Sequence, residues 1–149
     1  MNSWNVDLVQ STHGRTAWAA CVAMLLNHRD STSLTDGDVA VESGVEDRQG
    51  GSVASDGEYS DILGHYLLFA RSQPAPTPRE WDDLLAPGPV IAAVSDRAVV
   101  VGAVGDVEDP RDCQIHVLDP LYGEGWVPYA ELGDRFGFHP GVELVTVQP

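Results

Sequence analysis

The sequence predicts one α+β domain, in which helices from the first half pack on an antiparallel β-sheet formed by the second half. Apolar residues recur at helical spacing in the first half, and short apolar runs separated by turn residues follow in the second. Helices followed by strands that return through short turns are typical of this class. With 149 residues, 43% of them hydrophobic, and four tryptophans, the chain can form one packed core. We therefore assign residues 1–149 to a single domain.

The first two helices are predicted from residue type and capping. Residues 17–28 are rich in Ala, Leu and Met, which favour helix, and Thr16 can cap their start. A shorter helix is predicted over residues 33–40, with Thr35 or Asp36 near its beginning.

The middle of the chain alternates between irregular and helical predictions. Residues 44–57, rich in Gly, Ser, Asp and Glu, are expected to form a long surface loop. Apolar spacing predicts a helix over residues 59–71, and the prolines of residues 73–78 predict an extended connector. A short helix over residues 78–85 follows, with Thr77 as its N-cap and a proline in its first turn.

The second half contains the strand predictions. Gly and Pro residues precede the first apolar run, and a polar turn over residues 105–112 separates the second run from the third. The second run is apolar without interruption, which indicates a strand buried on both faces. The predicted strands are residues 89–94, 98–104, 114–120 and 141–147.

The charge of the chain limits its partners. There are 23 acidic residues against 8 basic ones, all arginine, for a net charge of −15. This charge disfavours nucleic acids and anionic membranes, and it permits a cationic partner. We find no apolar run of membrane-spanning length and no signal-peptide pattern, so we expect a cytoplasmic protein. The absence of lysine suggests a bacterial source with a GC-rich genome.

Metal and cofactor sites are not indicated by the sequence. The two cysteines, Cys21 and Cys113, form neither a disulfide framework nor a metal cluster, and the five histidines have no ligand spacing. We therefore expect no metal and no cofactor.

One segment points to a chemistry. Residues 9–26, VQSTHGRTAWAACVAMLL, resemble the segment that opens papain-like cysteine peptidases, in particular small bacterial ones related to double-glycine leader peptidases. The resemblance implies that Gln10 donates to the oxyanion and that position 17, at the helix start, is the nucleophile. A helix N-terminus stabilises an anion, which would lower the pKa of a thiol placed there. However, Ala17 occupies this position, and a methyl group cannot attack a carbonyl.

The resemblance continues into the strands. Gly88-Pro89 and Asp119-Pro120 look like family elements, the latter ending a strand with the aspartate that orients the catalytic histidine. The histidine itself should open the strand before the apolar run. Arg97 stands there, or Asp96 if the alignment shifts by one residue.

Other side chains near these family-like positions are candidates for binding. They are His13 in the Gln10 loop, Trp18, and Cys21 one turn further along the helix, which is either a displaced nucleophile or an ordinary buried residue. His116 precedes Asp119 by an odd number of strand residues, so the two should lie on opposite faces.

With no thiol at position 17 and no imidazole at position 97, the nucleophile–base pair of a cysteine peptidase is absent. We interpret the chain as a non-catalytic papain-like domain that binds a peptide or protein partner in the former substrate cleft. One alternative is a cysteine peptidase of this fold, either with Ala17 as an active-site variant or with its chemistry relocated to Cys21 or His13. Another is an acidic inhibitor or immunity-type protein that binds a basic partner.

Overall fold

The computed structural model describes residues 2–11, 17–43, 63–94, 97–138 and 141–148. The helices are α1 (Ala17–Asp30), α2 (Asp36–Ser43), α3 (Pro78–Leu84) and α4 (Leu132–Phe136). The strands are β1 (Phe69–Pro74), β2 (Val90–Val94), β3 (Arg97–Gly105), β4 (Gln114–Asp119), β5 (Gly123–Pro128) and β6 (Gly141–Thr146). Within these described ranges, no helix is both long enough and apolar enough to cross a membrane.

The six strands form one sheet in the order β1-β6-β2-β3-β4-β5, and every neighbouring pair is antiparallel. The helices pack on this sheet, which confirms the predicted α+β class. Strand β3 is buried along all its inner residues, as its unbroken apolar run predicted. The sheet therefore has a core on each face.

Helix α1 forms the centre of the first core. Its residues 17–26 are all buried, and the helix contacts α2, β2 and β3. A helix that is apolar all round is stable only when protein surrounds it. On the opposite face of the sheet, Trp81 and Leu85 pack with Phe136 in the second core. The predicted first helix is thus confirmed as a buried helix.

Capping fixes where two of the helices begin. Thr35 N donates to Asp38 Oδ2 at 2.9 Å, and Asp38 N donates to Thr35 Oγ1 at 3.1 Å, before α2. Thr77 and Glu80 exchange the same pair of hydrogen bonds at α3. These reciprocal contacts satisfy N–H groups that a helix start leaves free. They confirm the predicted starts of both short helices.

The segment before α1 runs along the sheet. Trp4 N donates to Gly102 O at 2.9 Å, where the pairing of β3 with β4 is irregular. A Cβ at Gly102 would lie 3.4 Å from Trp4 O, so glycine permits this close approach. At the far end of the segment, Ser11 N donates to Pro120 O at 2.9 Å. The residues around Gln10 are thereby held at the end of β4.

The structure differs from the predictions in three places. The helix over residues 59–71 does not extend to its predicted end, because Phe69 begins β1 and pairs with Thr146 of β6. A helical turn covers residues 63–65, and Leu67, with φ of 57°, ends it. The connector at residues 73–78 likewise begins inside β1. Strand β5 was not predicted at all. The predicted loop at residues 44–57 lies outside the described residues.

Candidate functional site

Arg97 and Asp119 form the centre of the candidate site. Arg97 opens β3 and Asp119 closes its antiparallel neighbour β4, so the two meet at one end of the sheet. Arg97 Nη2 donates to Asp119 Oδ2 at 2.8 Å. The two side chains therefore form an ion pair.

The arginine connects several elements. Arg97 Nη1 donates to the carbonyl oxygen of Arg135 in α4 at 3.0 Å. The guanidinium carbon lies 4.8 Å from the centre of the Phe136 ring and 5.8 Å from that of Tyr122. Planar guanidinium groups stack well on aromatic faces. Arg97 therefore connects β3, β4 and α4 at this end of the sheet.

Asp119 is held from both sides. Its side chain is 8% exposed, and its Oδ1 accepts from Leu121 N at 2.9 Å, which closes a turn after β4. Both carboxylate oxygens thus have a donor. A buried carboxylate is stable only when it is paired in this way.

A cavity of about 490 Å³ lies against this pair. Its walls come from β4, β5, α4 and the turn between the two strands, and they include Tyr122 and Phe136. This volume lies within the range typical of ligand sites. A second cavity of about 570 Å³ lies between β1 and α3, and none of the predicted site residues lines it.

The two other positions predicted for the site are Ala17 at the start of α1 and Gln10 in the segment held at the end of β4. Ala17 is the first described residue of α1 and is 5% exposed. Gln10 is exposed, and its neighbour Ser11 is hydrogen-bonded to Pro120, the residue after Asp119. The approach of the Gln10 side chain to Ala17 stays a prediction. His13 and Asp96 lie outside the described residues.

Comparison with known proteins relates the fold of this chain to solved structures. No family model matches the chain, and no curated protein matches it. Solved structures do match. One is a double-glycine motif protease from an AMS/PCAT transporter in complex with the leader peptide, with 19% identity, a TM-score of 0.63, and coverage of 97% of this chain and 93% of that chain.

A second is the peptidase domain of Streptococcus ComA, a bi-functional ABC transporter, with 15% identity, a TM-score of 0.64, and coverage of 97% and 99%. The chain has a papain-like fold. UfSP from C. elegans also matches, with 15% identity and a TM-score of 0.63, over 99% of this chain and 34% of that longer one.

Two of the predicted binding residues belong to the core of this papain-like domain. Trp18 is 1% exposed and Cys21 is 0% exposed, both within the cluster around α1. Both side chains are buried in the described structure, as the sequence had allowed for Cys21, and contact of either with a partner stays a prediction. The cause of the burial is the uninterrupted apolar sequence of α1, which buries every face of the helix where these residues lie.

His116 lies apart from the ion pair. Its Nε2 is 3.1 Å from Glu124 Oε2, and its ring centre is 5.2 Å from that of Trp126. It adjoins Gly102 and Leu118, on the face of the sheet that carries α1. This agrees with the prediction that His116 and Asp119 lie on opposite faces of the sheet. Among the described residues, no group of three or more His, Cys, Asp or Glu could hold a metal.

The sequence did not indicate three residues of the cavity: Tyr122, Arg135 and Phe136. Each reaches Arg97 only because α4 and the turn after β4 return to this edge of the sheet. Aromatic residues beside arginines are a weak signal in a sequence without the fold. These residues extend the site beyond the positions that the sequence indicated.

Cys21 should behave as a buried, protonated thiol. Burial, and secondly the negative charge of Asp119, raise the pKa of Cys21 well above the ordinary 9.0. In the native protein at about pH 8, alkylation by iodoacetamide should therefore be much slower than in urea, as peptide mass spectrometry would measure. Rapid native alkylation would show an accessible thiolate and would support relocated chemistry at this residue.

The same pKa difference has a consequence for stability at alkaline pH. Above about pH 9 the unfolded chain loses the Cys21 proton while the folded chain keeps it, so stability falls as the pH rises. Tyr66, with a pKa raised to about 12, contributes in the same direction. Comparing urea midpoints at about pH 8 and pH 10 for the wild type and Cys21→Ala isolates the cysteine, whose removal should reduce the alkaline loss.

Proposed function

We propose that this papain-like domain is non-catalytic and binds a peptide or protein segment in the region of the former substrate cleft. The observation that carries the proposal is the Arg97–Asp119 ion pair, with the two charged groups 2.8 Å apart. A guanidinium has N–H donors and no acceptor, so an arginine in this position cannot serve as a general base. Ala17 likewise has no atom that could form an acyl-enzyme.

These features together support loss of the chemistry rather than a single substitution. An active-site Cys→Ala variant of a working peptidase would account for Ala17, but it would keep the histidine where Arg97 stands. Relocated chemistry at Cys21 is not supported, because its thiol is buried and its pKa is raised.

Binding of a peptide is supported by the form of the site. The ion pair lines an open cavity at the end of β3 and β4. One of the similar structures, the double-glycine motif protease, contains a leader peptide, so its fold accommodates a peptide ligand. The net charge of −15 favours ligands that are neutral or basic along most of their length.

The test is binding without cleavage. Purified protein should retain members of a random peptide library in a saturable way, and mass spectrometry should find those peptides intact. Saturable cleavage that Cys21→Ser abolishes would contradict the proposal and support the peptidase alternative.

A matched pair of variants locates the binding. Gln10 is exposed in the segment held beside Asp119, whereas Gln148 is exposed at the larger cavity between β1 and α3. Gln10→Trp should raise the Kd by about tenfold or more through steric obstruction, and Gln148→Trp should leave it unchanged. The reverse result would place the ligand in the other cavity.

A further inference from the structure

Glycines open the cavity beside the ion pair. In the β4–β5 ladder, Gly123 is paired with Asp119 and Gly125 with Val117. Directly paired residues project to the same face of a sheet, so side chains at these two positions would enter the cavity. A Cβ built on either glycine meets no atom within 4 Å. The volume above Val117 and Asp119 therefore exists because two side chains are missing.

Backbone conformation does not explain Gly125. Gly123 has φ of +101°, which favours glycine, but Gly125 lies outside the left-handed region. A glycine inside a strand weakens it, and one common reason for its presence is the close approach of a ligand or another backbone. Strand β5 is also the last strand of the sheet, and within the described ranges no strand pairs with its outer edge. An extended chain can pair with such an edge.

The walls combine aromatic and cationic groups. Tyr122 is 82% exposed at the rim, while Phe136 lies buried beneath Arg97. An exposed tyrosine next to an arginine is typical of the residues that dominate binding energy at interfaces. The cavity therefore offers an apolar contact and a charged contact side by side.

Two arginines and two acidic residues line the cavity, although the chain as a whole is strongly acidic. The arginines, Arg97 and Arg135, are two of only eight basic residues. Asp119 is already engaged by Arg97, and Glu124 lies 3.1 Å from His116. The Arg97 guanidinium has N–H groups beyond the two that donate to Asp119 and Arg135, and none of these contacts an acceptor among the described residues. A carboxylate fits this position.

The net charge of the protein favours a ligand with one negative charge over a ligand with several. An acidic segment would be repelled by the net charge of −15, whereas a single carboxylate adds one negative charge only. The α-carboxylate at a chain end also carries the side chain of the last residue beside it, which suits the apolar wall at Phe136. In an internal aspartate or glutamate, the carbon bonded to the carboxylate is a CH2 group that carries no further side chain.

We propose that this cavity receives the C-terminal residue of a partner polypeptide, with its free carboxylate on Arg97 and its apolar side chain in the space left by Gly125. This inference rests on the proposed function and specifies the part of the peptide that is recognised. The preceding residues of the partner would extend along the outer edge of β5.

The experiment uses the intact protein and one peptide set in two forms. Peptides retained from the random library are synthesised with a free C-terminus and with a C-terminal amide, and both Kd values are measured by fluorescence polarisation. Loss of a charge-assisted hydrogen bond should raise the Kd by about 10- to 100-fold on amidation. Arg97→Ala should remove this preference for the free carboxylate.

A second variant tests the cavity without changing Arg97, which also contributes to stability. Gly125→Leu should fill the cavity, raise the Kd by about tenfold or more, and leave the urea midpoint nearly unchanged because its Cβ meets open space. Gly64→Leu is the control, since a Cβ at Gly64 also meets nothing within 4 Å and Gly64 lies outside the cavity.

The outcomes separate the two proposals. If peptides bind equally well as amides and to the Gly125→Leu variant, but Gln10→Trp still weakens them, the carboxylate site is refuted and the peptide-binding function stands. If no peptide in either form is retained, both proposals are overturned. Binding that requires an internal acidic residue, irrespective of amidation, also refutes the carboxylate site.

Discussion

Replacing Trp18 with alanine should lower the free energy of unfolding by about 3–5 kcal/mol. The side chain is 1% exposed and packs in the core around α1, so its removal deletes a large apolar volume that rigid neighbours cannot refill. Urea denaturation, with the slope compared between variants, would give the difference. This is the largest stability effect that we expect from any predicted site residue.

Val41→Ala is a suitable control for that variant. Val41 lies in α2, which packs against α1, but its side chain is 66% exposed. Its replacement should change the free energy of unfolding by about 0.5 kcal/mol or less. If Trp18→Ala cost less than about 1 kcal/mol and instead abolished peptide binding, Trp18 would belong to the binding groove as the sequence had suggested.

The elements with strong local signals could be predicted from the sequence. Helix α1 has a continuous run of helix-forming residues, and the capping residues Thr35 and Thr77 mark the starts of α2 and α3. The hairpin of β2 and β3 follows from two apolar runs separated by a short polar stretch of sequence. In each case neighbouring residues determine the structure, so the information is present locally.

Elements formed by long-range pairing were not predictable. The apolar spacing of residues 59–71 predicts helix, yet pairing with β6 at the other end of the chain makes Phe69 the first residue of a strand. Tertiary contacts commonly override such weak propensities. Strand β5 alternates glycine with larger residues, so it lacks the apolar alternation that identifies a strand.

Part of the site was predictable for a geometric reason. Arg97 opens one strand and Asp119 closes its antiparallel neighbour, and the meeting of such residues follows from the hairpin alone. The contacts of Arg97 with Arg135 and Phe136 depend on where α4 returns, which no local pattern specifies. The burial of Trp18 and Cys21 had a signal in the sequence, since residues 17–26 contain no charged residue on any face.

The ion pair between Arg97 and Asp119 should show measurable energetic coupling in a double-mutant cycle. Asp119→Ala removes the partner of Arg97 and the acceptor of Leu121 N, so it should destabilise the fold by about 2–3 kcal/mol. The Arg97 side chain is 32% exposed, and water therefore compensates part of its lost contact. This exposure keeps the expected cost below that of a fully buried pair.

The coupling itself is the informative quantity. Arg97→Met retains contact with Phe136 but removes the charge, and the double variant should be more stable than the sum of the single losses predicts by about 1–2 kcal/mol. The pair of Arg79 and Glu108 is the matched control, because both side chains are largely exposed and their coupling should be about 0–1 kcal/mol. Equal coupling energies in the two cycles would mean that the contact of Arg97 with Asp119 does not stabilise this end of the sheet. Arg97 would then have no structural role through Asp119, and ligand binding would be the remaining proposed reason for its presence.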